Sequence, residues 1–292
     1  RKEMNKEAVK KIFKELEFRR LSERWFGVQK NLSKVEVVDK KKSSTPSQVD
    51  LFSGETEQSN LFGGDYETIE ISKPLYRLVD NPASCLALVE RLITLKSVAF
   101  DAEASSLDAL KAEITGLSFS CKTKEAYYVP IPSMEKQRSE ILSIFKPFFE
   151  NERIEKVGQN IKYNLHVLAN YDIHLAGTLF DTMISHYLLQ ADMGHSMPVL
   201  AETYLNYTPI KIEDLIGKGR GQINMRDLHP SKIKNYACEK VDIIWRLKGV
   251  FTPLLEKEDM MSLFKNIEMP LIFVLSKICL LYTSDAADDW FC

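Results

Sequence analysis

The sequence predicts an α/β fold, and three observations support this prediction. A short apolar run at residues 97–100 ends abruptly in Asp101 and Glu103, which is typical of a buried strand that delivers side chains to its exposed end. Two further β-rich runs, residues 114–120 and 126–131, follow with turn residues between them, so three consecutive strands should form a meander. Segments with helical spacing surround these strands, and 292 residues, 45% of them apolar, suffice for one sizeable domain with appendages.

The first 74 residues are predicted to form a helical segment followed by a linker. Residues 1–27 carry Ile12, Leu16 and other apolar positions at roughly helical spacing among many charged side chains, which indicates a basic amphipathic helical segment. Residues 28–74 are rich in Lys, Ser, Thr, Gly and Glu and have no sustained period. Such a composition is typical of a flexible linker.

A Gln-x-x-Leu-Phe pattern occurs twice in this linker, with the two copies ten residues apart. Its residues are Gln48, Leu51, Phe52, Gln58, Leu61 and Phe62. Paired apolar residues in a solvated tether fit a short peptide ligand, whose Leu-Phe anchors fill a partner's pocket while Gln supplies a hydrogen bond. The alternative is that both copies are chance hydrophobic residues in a loop.

The other elements follow in order along the chain. Folded structure is expected to resume at residues 75–80. Strands are predicted at residues 97–103, 114–120 and 126–131, and a short strand that feeds a loop within residues 154–160. Helices are predicted at residues 84–95, 137–149 and 161–171, after the stretch 178–183 through residue 189, around 199–205 and at 231–256. Ser84, which follows Asn81-Pro82, is the predicted cap of the first of these helices. A glycine-spaced basic loop at residues 217–221 is either an ordinary solvated loop or a segment that touches a phosphate backbone.

Composition limits the class of protein. The net charge of −2 means that any contact with nucleic acid must come from local patches. The longest apolar stretch, residues 269–278, contains Pro270 and Ser276 and suits a buried helix better than a bilayer, so no membrane partner is expected. Five cysteines without zinc spacing indicate reduced thiols in the cytoplasm. Arg1 in place of Met indicates a chain cut from a longer one.

Asp101 and Glu103 are the strongest candidates for chemistry. Alternate residues of a strand share a face, so both carboxylates can converge on one point. Converging carboxylate oxygens are what a hard divalent cation such as Mg²⁺ requires. A pair of acids on a surface strand, with no functional role, is the alternative.

Several stretches together resemble the 3′→5′ exonuclease domain of the bacterial family A DNA polymerases. They lie in the order of that family across residues 75–278. The matching stretches are Phe-Asp-Ala-Glu at 100–103 with Ser-Leu at 106–107, Val-Gly-Gln-Asn-Ile-Lys-Tyr at 157–163, Phe-Asp-Thr-Met at 180–183, Gly-Lys-Gly at 217–219, Tyr-Ala-Cys-Glu at 236–239, and Asn-Ile-Glu-Met-Pro-Leu at 266–271.

The resemblance implies an RNase H-like fold, a mixed β-sheet flanked by helices, that follows a helical N-terminal remnant and a flexible linker. It assigns residues 1–27 to the end of a 5′-nuclease region, 28–74 to a linker, 75–256 to the exonuclease-like domain and 257–278 to the start of a polymerase domain. Residues 279–292 look like a translated sequencing-adapter read-through and form a non-native tail.

The resemblance also implies a site, in which four carboxylates hold two Mg²⁺ or Mn²⁺ ions that activate water during phosphodiester hydrolysis. The first two carboxylates match Asp101 and Glu103, and the Tyr that orients the attacking water matches Tyr236. The third and fourth positions hold Asn164 and Lys240 instead of Asp. Half of the expected metal ligands are therefore missing, and weak or absent metal binding is expected.

The pocket that such a family uses for a frayed 3′ end of DNA would include Leu107, Gln159, Asn160 and Tyr163. Plain packing is the alternative role of these side chains. The Gln-x-x-Leu-Phe pattern resembles the pentapeptide by which bacterial replication and repair proteins engage the sliding clamp.

Three functions follow from these expectations. The first is a catalytically silent exonuclease-like domain that serves as a scaffold in a DNA replication and repair protein. The second is a residual metal-dependent proofreading exonuclease, and the third is a module that binds a single-stranded 3′ end or a primer-template without cutting it. In each case the protein is expected to be a monomer in the cytoplasm, associated with the nucleoid.

Overall fold

A computed structural model of the chain describes residues 66–217, 222–223 and 225–288, with side chains described as far as Cys279. The predicted N-terminal helical segment, both Gln-x-x-Leu-Phe copies and residues 218–221 of the glycine-spaced loop lie outside the described residues. Within the described part, no helix is long and apolar enough to cross a membrane.

A six-stranded mixed sheet forms the centre of the domain. Its strands are β1 (Leu75–Leu78), β2 (Ser97–Ala104), β3 (Ile114–Lys122), β4 (Glu125–Pro130), β5 (Glu155–Gly158) and β6 (Leu179–Asp181), arranged in the order β1-β4-β3-β2-β5-β6. Strands β2, β3 and β4 pair antiparallel, which confirms the predicted meander. Strands β1, β5 and β6 each pair in parallel with a neighbour, so the sheet is mixed, as the RNase H-like expectation requires.

Helices cover both faces of this sheet. They are α1 (Ile69–Ser72), α2 (Pro82–Leu92), α3 (Glu135–Phe149), α4 (Ile161–Ala169), α5 (Thr182–Leu189), α6 (Met197–Leu205), α7 (Ile212–Ile216), α8 (Pro230–Lys257), α9 (Met261–Leu263) and α10 (Met269–Asp288). A short 3₁₀ turn at Met225–Asp227 precedes α8, and a π-helical turn at Phe264–Glu268 joins α9 to α10.

The alternation of side chains along β2 and β3 separates the core from the site. Phe100 and Phe119 point to one face, where they pack against the aromatic rings of α3, including Phe145 and Phe149. Their neighbours along the strands point to the opposite face, which α8 covers. The period of two therefore places Asp101 under α8 and away from the aromatic core.

Several predicted boundaries differ from the structure for local reasons. Asn81 caps α2, because its side chain accepts a hydrogen bond from the Ser84 backbone N–H at 2.9 Å, so the prediction of Ser84 as cap was wrong. Part of the segment expected to be linker is structured, since α1 lies within it and Glu67 forms a β-bridge with Tyr207. The predicted buried helix over residues 269–278 is present, but it buries only one face.

Gly116 of β3 allows the ring of Tyr128 to pack closely against the backbone of this strand. Gly116 lies opposite Glu103 in the register of β2 and β3. A Cβ atom at Gly116 would lie 2.4 Å from Cε2 of Tyr128, which is far closer than carbon atoms pack. Glycine is therefore required here by the close approach of an aromatic ring.

We expect Gly116→Ala to lower the free energy of unfolding by about 1–3 kcal/mol, because the added methyl must displace the Tyr128 ring. Gly249→Ala is the matched control: its Cβ would meet nothing within 4 Å and it lies inside α8, so this change should stabilise the protein by about 0.5–1 kcal/mol. Urea unfolding of both variants measures the difference. Equal effects of the two substitutions would contradict this account of Gly116.

Candidate active site

Strand β2 delivers Asp101 and Glu103 to the face that α8 covers. Their exposed fractions are only 7% and 5%, so the expectation that the strand ends in exposed carboxylates was wrong. The reason is the long helix α8, which packs across β1, β2, β3 and β4 and covers the end of β2. Both carboxylates do lie on one face, as the alternation predicted, since both contact the same side chain of α8.

That side chain is Lys240, whose ammonium lies between the two carboxylates. Lys240 Nζ donates to Asp101 Oδ2 at 2.6 Å and to Glu103 Oε1 at 2.8 Å. The lysine side chain is 23% exposed, whereas the two acids are almost completely buried. An internal cation therefore occupies the point on which the carboxylates converge.

Burial and charge oppose one another in this cluster. Burial lowers the pKa of the Lys240 ammonium, but attraction to Asp101 and Glu103 outweighs it and holds that pKa well above its usual value. Burial raises the pKa of Glu103 to about 7, although Lys240 opposes the rise. The ammonium is thus charged at neutral pH and is held in place by its neighbours.

Asn164 of α4 completes the cluster from the other side. Its Nδ2 donates to Asp101 Oδ1 at 3.2 Å, and its Oδ1 accepts from the Ala102 backbone N–H at 3.4 Å. Asn164 is 1% exposed, so its amide is held between strand and helix. Because its Nδ2 donates to Asp101, the amide stabilises the same carboxylate that Lys240 contacts.

Tyr236 lies one helical turn before Lys240 on α8. The Lys240 ammonium is 5.5 Å from the centre of the Tyr236 ring, within the range of a cation–π contact. Burial raises the pKa of the Tyr236 phenol to about 12, so this hydroxyl stays protonated at neutral pH.

The carboxylates nearest to Lys240 along α8 are engaged elsewhere. Glu239 accepts from Tyr207 Oη at 2.6 Å and from the Ile210 backbone N–H at 2.7 Å. Asp242 accepts from the Lys124 backbone N–H at 2.7 Å and from Tyr76 Oη at 3.1 Å. Neither carboxylate therefore joins the cluster of Asp101, Glu103 and Lys240. In the described part of the chain, no three His, Cys, Asp or Glu side chains are grouped so as to hold a metal ion.

A groove of about 870 Å³ opens above the cluster. The four side chains that the resemblance assigned to DNA all line it, together with Asp101, Glu103, Tyr236 and Lys240. Leu107 is 97% exposed, so it is not the core residue that the packing alternative required. Tyr163 is half-buried, and its hydroxyl donates to the Ser106 carbonyl.

Hydrogen bonds to neighbouring segments hold two of the groove residues in place. Gln159 Nε2 donates to the His195 carbonyl at 2.8 Å, and its Oε1 accepts from the Thr182 hydroxyl. Asn160, the residue before α4, has a left-handed backbone with φ of 54°, and its backbone N–H donates to Asp181 Oδ1 at 3.2 Å. The structure thus brings these predicted residues to one groove, while their contact with DNA stays a prediction.

Asp181 is a positioning residue that sequence reasoning missed. Its buried carboxylate accepts from the backbone N–H groups of Ile161, at 2.6 Å, and of Met183, at 2.9 Å. It therefore joins the start of α4, which carries Asn164, to the start of α5. The Phe-Asp-Thr stretch at 180–182 was recognised only as one of the stretches that resemble the family. The stretch itself does not indicate that its Asp joins two helices.

Comparison with known proteins identifies similar sequences. The family described as "3'-5' exonuclease" matches residues 76–256. DNA polymerase I of Pseudomonas aeruginosa is 34% identical over 225 residues, which are 74% of this chain and 25% of that protein. DNA polymerase I of Borreliella burgdorferi is 33% identical over 235 residues, 79% of this chain and 25% of that protein. The chain thus spans about a quarter of the length of these relatives.

Solved structures agree with the fold. NrnC of Brucella melitensis aligns with this chain with a TM-score of 0.57 at 17% sequence identity. The alignment covers 71% of this chain and 93% of the NrnC chain. That protein has also been solved with bound Mg²⁺. At this level of identity the similarity concerns the fold alone.

We expect Lys240→Met to lower the free energy of unfolding by roughly 3–5 kcal/mol at pH 8, because two buried carboxylates lose their shared cation. Burial already raises the pKa of Glu103, and without the ammonium nothing from Lys240 opposes that rise. The penalty is therefore present at pH 8 and shrinks as the pH falls towards 5 and Glu103 gains a proton.

Urea unfolding at the two pH values measures this difference. Lys136→Met, at an exposed lysine of α3, is the matched control and should change stability little at either pH. A loss that is the same at pH 5 and pH 8, or no loss at pH 8, would contradict the role assigned to Lys240.

Proposed function

The chain belongs to the 3′-5′ exonuclease family of DNA polymerase I, and on this premise we propose that its exonuclease domain is catalytically silent. In this proposal the domain serves as a scaffold within a longer DNA replication and repair protein that engages primer-template DNA. The same reading assigns the protein to the cytoplasm, in association with the nucleoid. The contact of Lys240 with both Asp101 and Glu103 is the observation that carries the proposal.

The side chains at the four expected metal-ligand positions support a silent domain, because they do not fit a pair of divalent ions. Two carboxylates remain, both bonded to an ammonium, and the other two positions hold an amide and that same ammonium. Two carboxylates and one ammonium give a formal charge of −1, whereas four carboxylates would give −4. Two divalent ions would therefore meet too little negative charge.

Repulsion between the Lys240 ammonium and a metal ion adds to this lack of negative charge. A divalent ion bound to the oxygens of Asp101 and Glu103 would lie close to Lys240 Nζ, which is within 2.8 Å of the same oxygens. At about 4 Å and an effective dielectric constant of about 20, the repulsion between an ammonium and a divalent ion is on the order of 8 kcal/mol. In this proposal Lys240 fills the site as a permanent counter-ion and no hydrolytic step occurs there.

Two other functions give different results in simple assays. A residual exonuclease would trim the 3′ end of a labelled single strand with Mg²⁺ or Mn²⁺, and Asp101→Ala would abolish that trimming. A module that binds a single-stranded 3′ end would bind without cutting, with an affinity that falls in Tyr163→Ala and at high salt. Robust trimming by the unmodified chain would refute the silent domain.

Restoring the missing ligands provides the direct test. We expect Lys240→Asp together with Asn164→Asp to recover Mg²⁺ binding and 3′→5′ digestion, whereas either change alone recovers much less, since the metal ions share ligands. Calorimetric titration with Mg²⁺ and digestion of a labelled single strand are the two measurements. Lys240→Met with Asn164→Asp is the matched control, because it removes the ammonium without adding the fourth carboxylate. Equal activity of the unmodified chain and the double variant would refute the proposal.

We also propose that residues 48–52 and 58–62 bind a sliding clamp. The repeat of Gln-x-x-Leu-Phe within a polar segment supports this proposal, since two copies on one tether raise the effective concentration of the second anchor. Ordering each segment on binding keeps the affinity of a single copy modest.

We expect a peptide of residues 40–70 to bind the clamp of the same organism in a calorimetric titration. Leu51→Ala with Phe52→Ala should weaken binding, and adding Leu61→Ala with Phe62→Ala should abolish it, because the apolar anchors are then gone. A peptide in which the order of the same residues is scrambled is the matched control. Undiminished binding of the quadruple variant would show that neither Gln-x-x-Leu-Phe copy binds the clamp.

A further inference from the structure

A second cavity, of about 520 Å³, lies beside the 3₁₀ turn at Met225–Asp227. Met225 lines both this cavity and the groove, so the turn forms a wall between the two spaces. Residues near the ends of β1 and β4 and near the start of α8 also line the cavity. Helix α10 packs on α4 and β6, at the opposite edge of the sheet, and does not border it. The cavity is therefore separate from the candidate active site and from the last described helix.

Two buried hydroxyl groups belong to side chains that line this cavity and have no hydrogen-bond partner. Thr115 of β3 is 7% exposed, and its Oγ1 is unpaired within the described part of the chain. Tyr128 of β4 is 1% exposed, and its Oη likewise forms no hydrogen bond with a described residue. An unpaired buried hydroxyl costs free energy, so such groups indicate that a molecule from outside the chain supplies the partner.

The charged side chains that line the cavity favour a cation. They are Asp80, Arg226 and Asp227. Arg226 forms a salt bridge with Glu113, which is not part of the lining. Neither Asp80 nor Asp227 forms a salt bridge with another described residue. Two carboxylates are therefore left at the cavity without a compensating positive charge.

The rest of the lining is largely apolar. It includes Pro130, Pro132, Pro230, Ile141 and Met225. Sites for small molecules are typically cavities of about 300–1,000 Å³ with mostly apolar walls and a few polar groups. The size and the lining of this cavity therefore suit a small organic ligand.

We propose that this cavity binds a small organic cation, an amine or an amidinium carried on an apolar body. The apolar body packs against the proline and aliphatic walls, while the cation pairs with Asp80 or Asp227. The N–H groups of the ligand donate to the hydroxyl oxygens of Thr115 and Tyr128, which can accept them. Because Met225 lines both spaces, a bound ligand also contacts the wall of the groove.

NMR of the methionine methyl groups in the full chain tests this proposal, with benzamidine and phenethylamine as cationic probes. Met225→Leu identifies the signal of the Met225 methyl group. We expect both probes to shift this signal to saturation, with dissociation constants on the order of 1 mM. Benzamide has the shape of benzamidine without its charge and should bind about threefold to fivefold more weakly, and benzoate should not bind. If neither cation shifts the signal, or if benzamide binds as well as benzamidine, the proposal is wrong and water alone fills the cavity.

Variants of the lining residues locate the binding site. Asp80→Asn with Asp227→Asn should weaken benzamidine binding about fivefold to tenfold, because the charge that pairs with the cation is lost. Thr115→Val with Tyr128→Phe should weaken it about tenfold. This second pair should not lower the urea midpoint, since neither hydroxyl has a partner in the fold to lose. Ser118→Ala is the matched control, because its Oγ is also buried and unpaired but Ser118 does not line the cavity. Equal affinities of the unmodified chain, the control and both double variants would overturn the proposal.

Discussion

The bridge from Lys240 to Asp101 and Glu103 is the interaction on which the arrangement of the site depends. Two carboxylates that are more than nine-tenths buried carry a large desolvation cost, and the ammonium of Lys240, within hydrogen-bond distance of both, offsets it together with the amide of Asn164. The bridge joins two residues of β2 to Lys240 of α8, which lies 139 positions beyond Asp101 and 137 beyond Glu103 in the chain. It therefore fixes the depth at which α8 lies over the end of β2, and with it the floor of the groove.

A second lysine of α8 makes a similar contact at the other end of β2. Lys248 Nζ donates to Ser97 Oγ at 2.8 Å and pairs with Glu155, which lies beside Ser97 in the register of β2 and β5. The two lysines are eight positions apart in α8, so their Cα atoms are about 12 Å apart along the helix. The two contacts attach α8 to the beginning and the end of the same strand. Lys240 is thus part of the packing of α8 as well as the occupant of the site.

The charged cluster and the aromatic core lie on opposite faces of the sheet. Phe100 and Phe119 pack against Phe149 and Phe145 of α3, whereas Asp101 and Glu103 face Lys240 of α8. On the α8 face, Glu239 and Asp242 each have hydrogen-bond donors that hold other segments in place. Changing their partners would release Tyr207 or the β3–β4 turn, and both residues are therefore structural in this chain.

The sequence by itself determined the features that depend on local geometry and on motif order. The period of two along β2 places Asp101 and Glu103 on one face, and turn residues between β-rich runs predict the meander, because both follow from neighbouring residues. The order of short motifs across residues 75–278 also indicated the family, which the match over 76–256 confirms.

Only the tertiary structure decided how these parts meet. The burial of the carboxylates, the direction of Lys240 and the separate partners of Glu239 and Asp242 depend on contacts between residues far apart in the chain. The parallel pairing of β1 with β4 is equally invisible to local patterns. Which face of a helix is buried depends on the neighbours that the fold supplies.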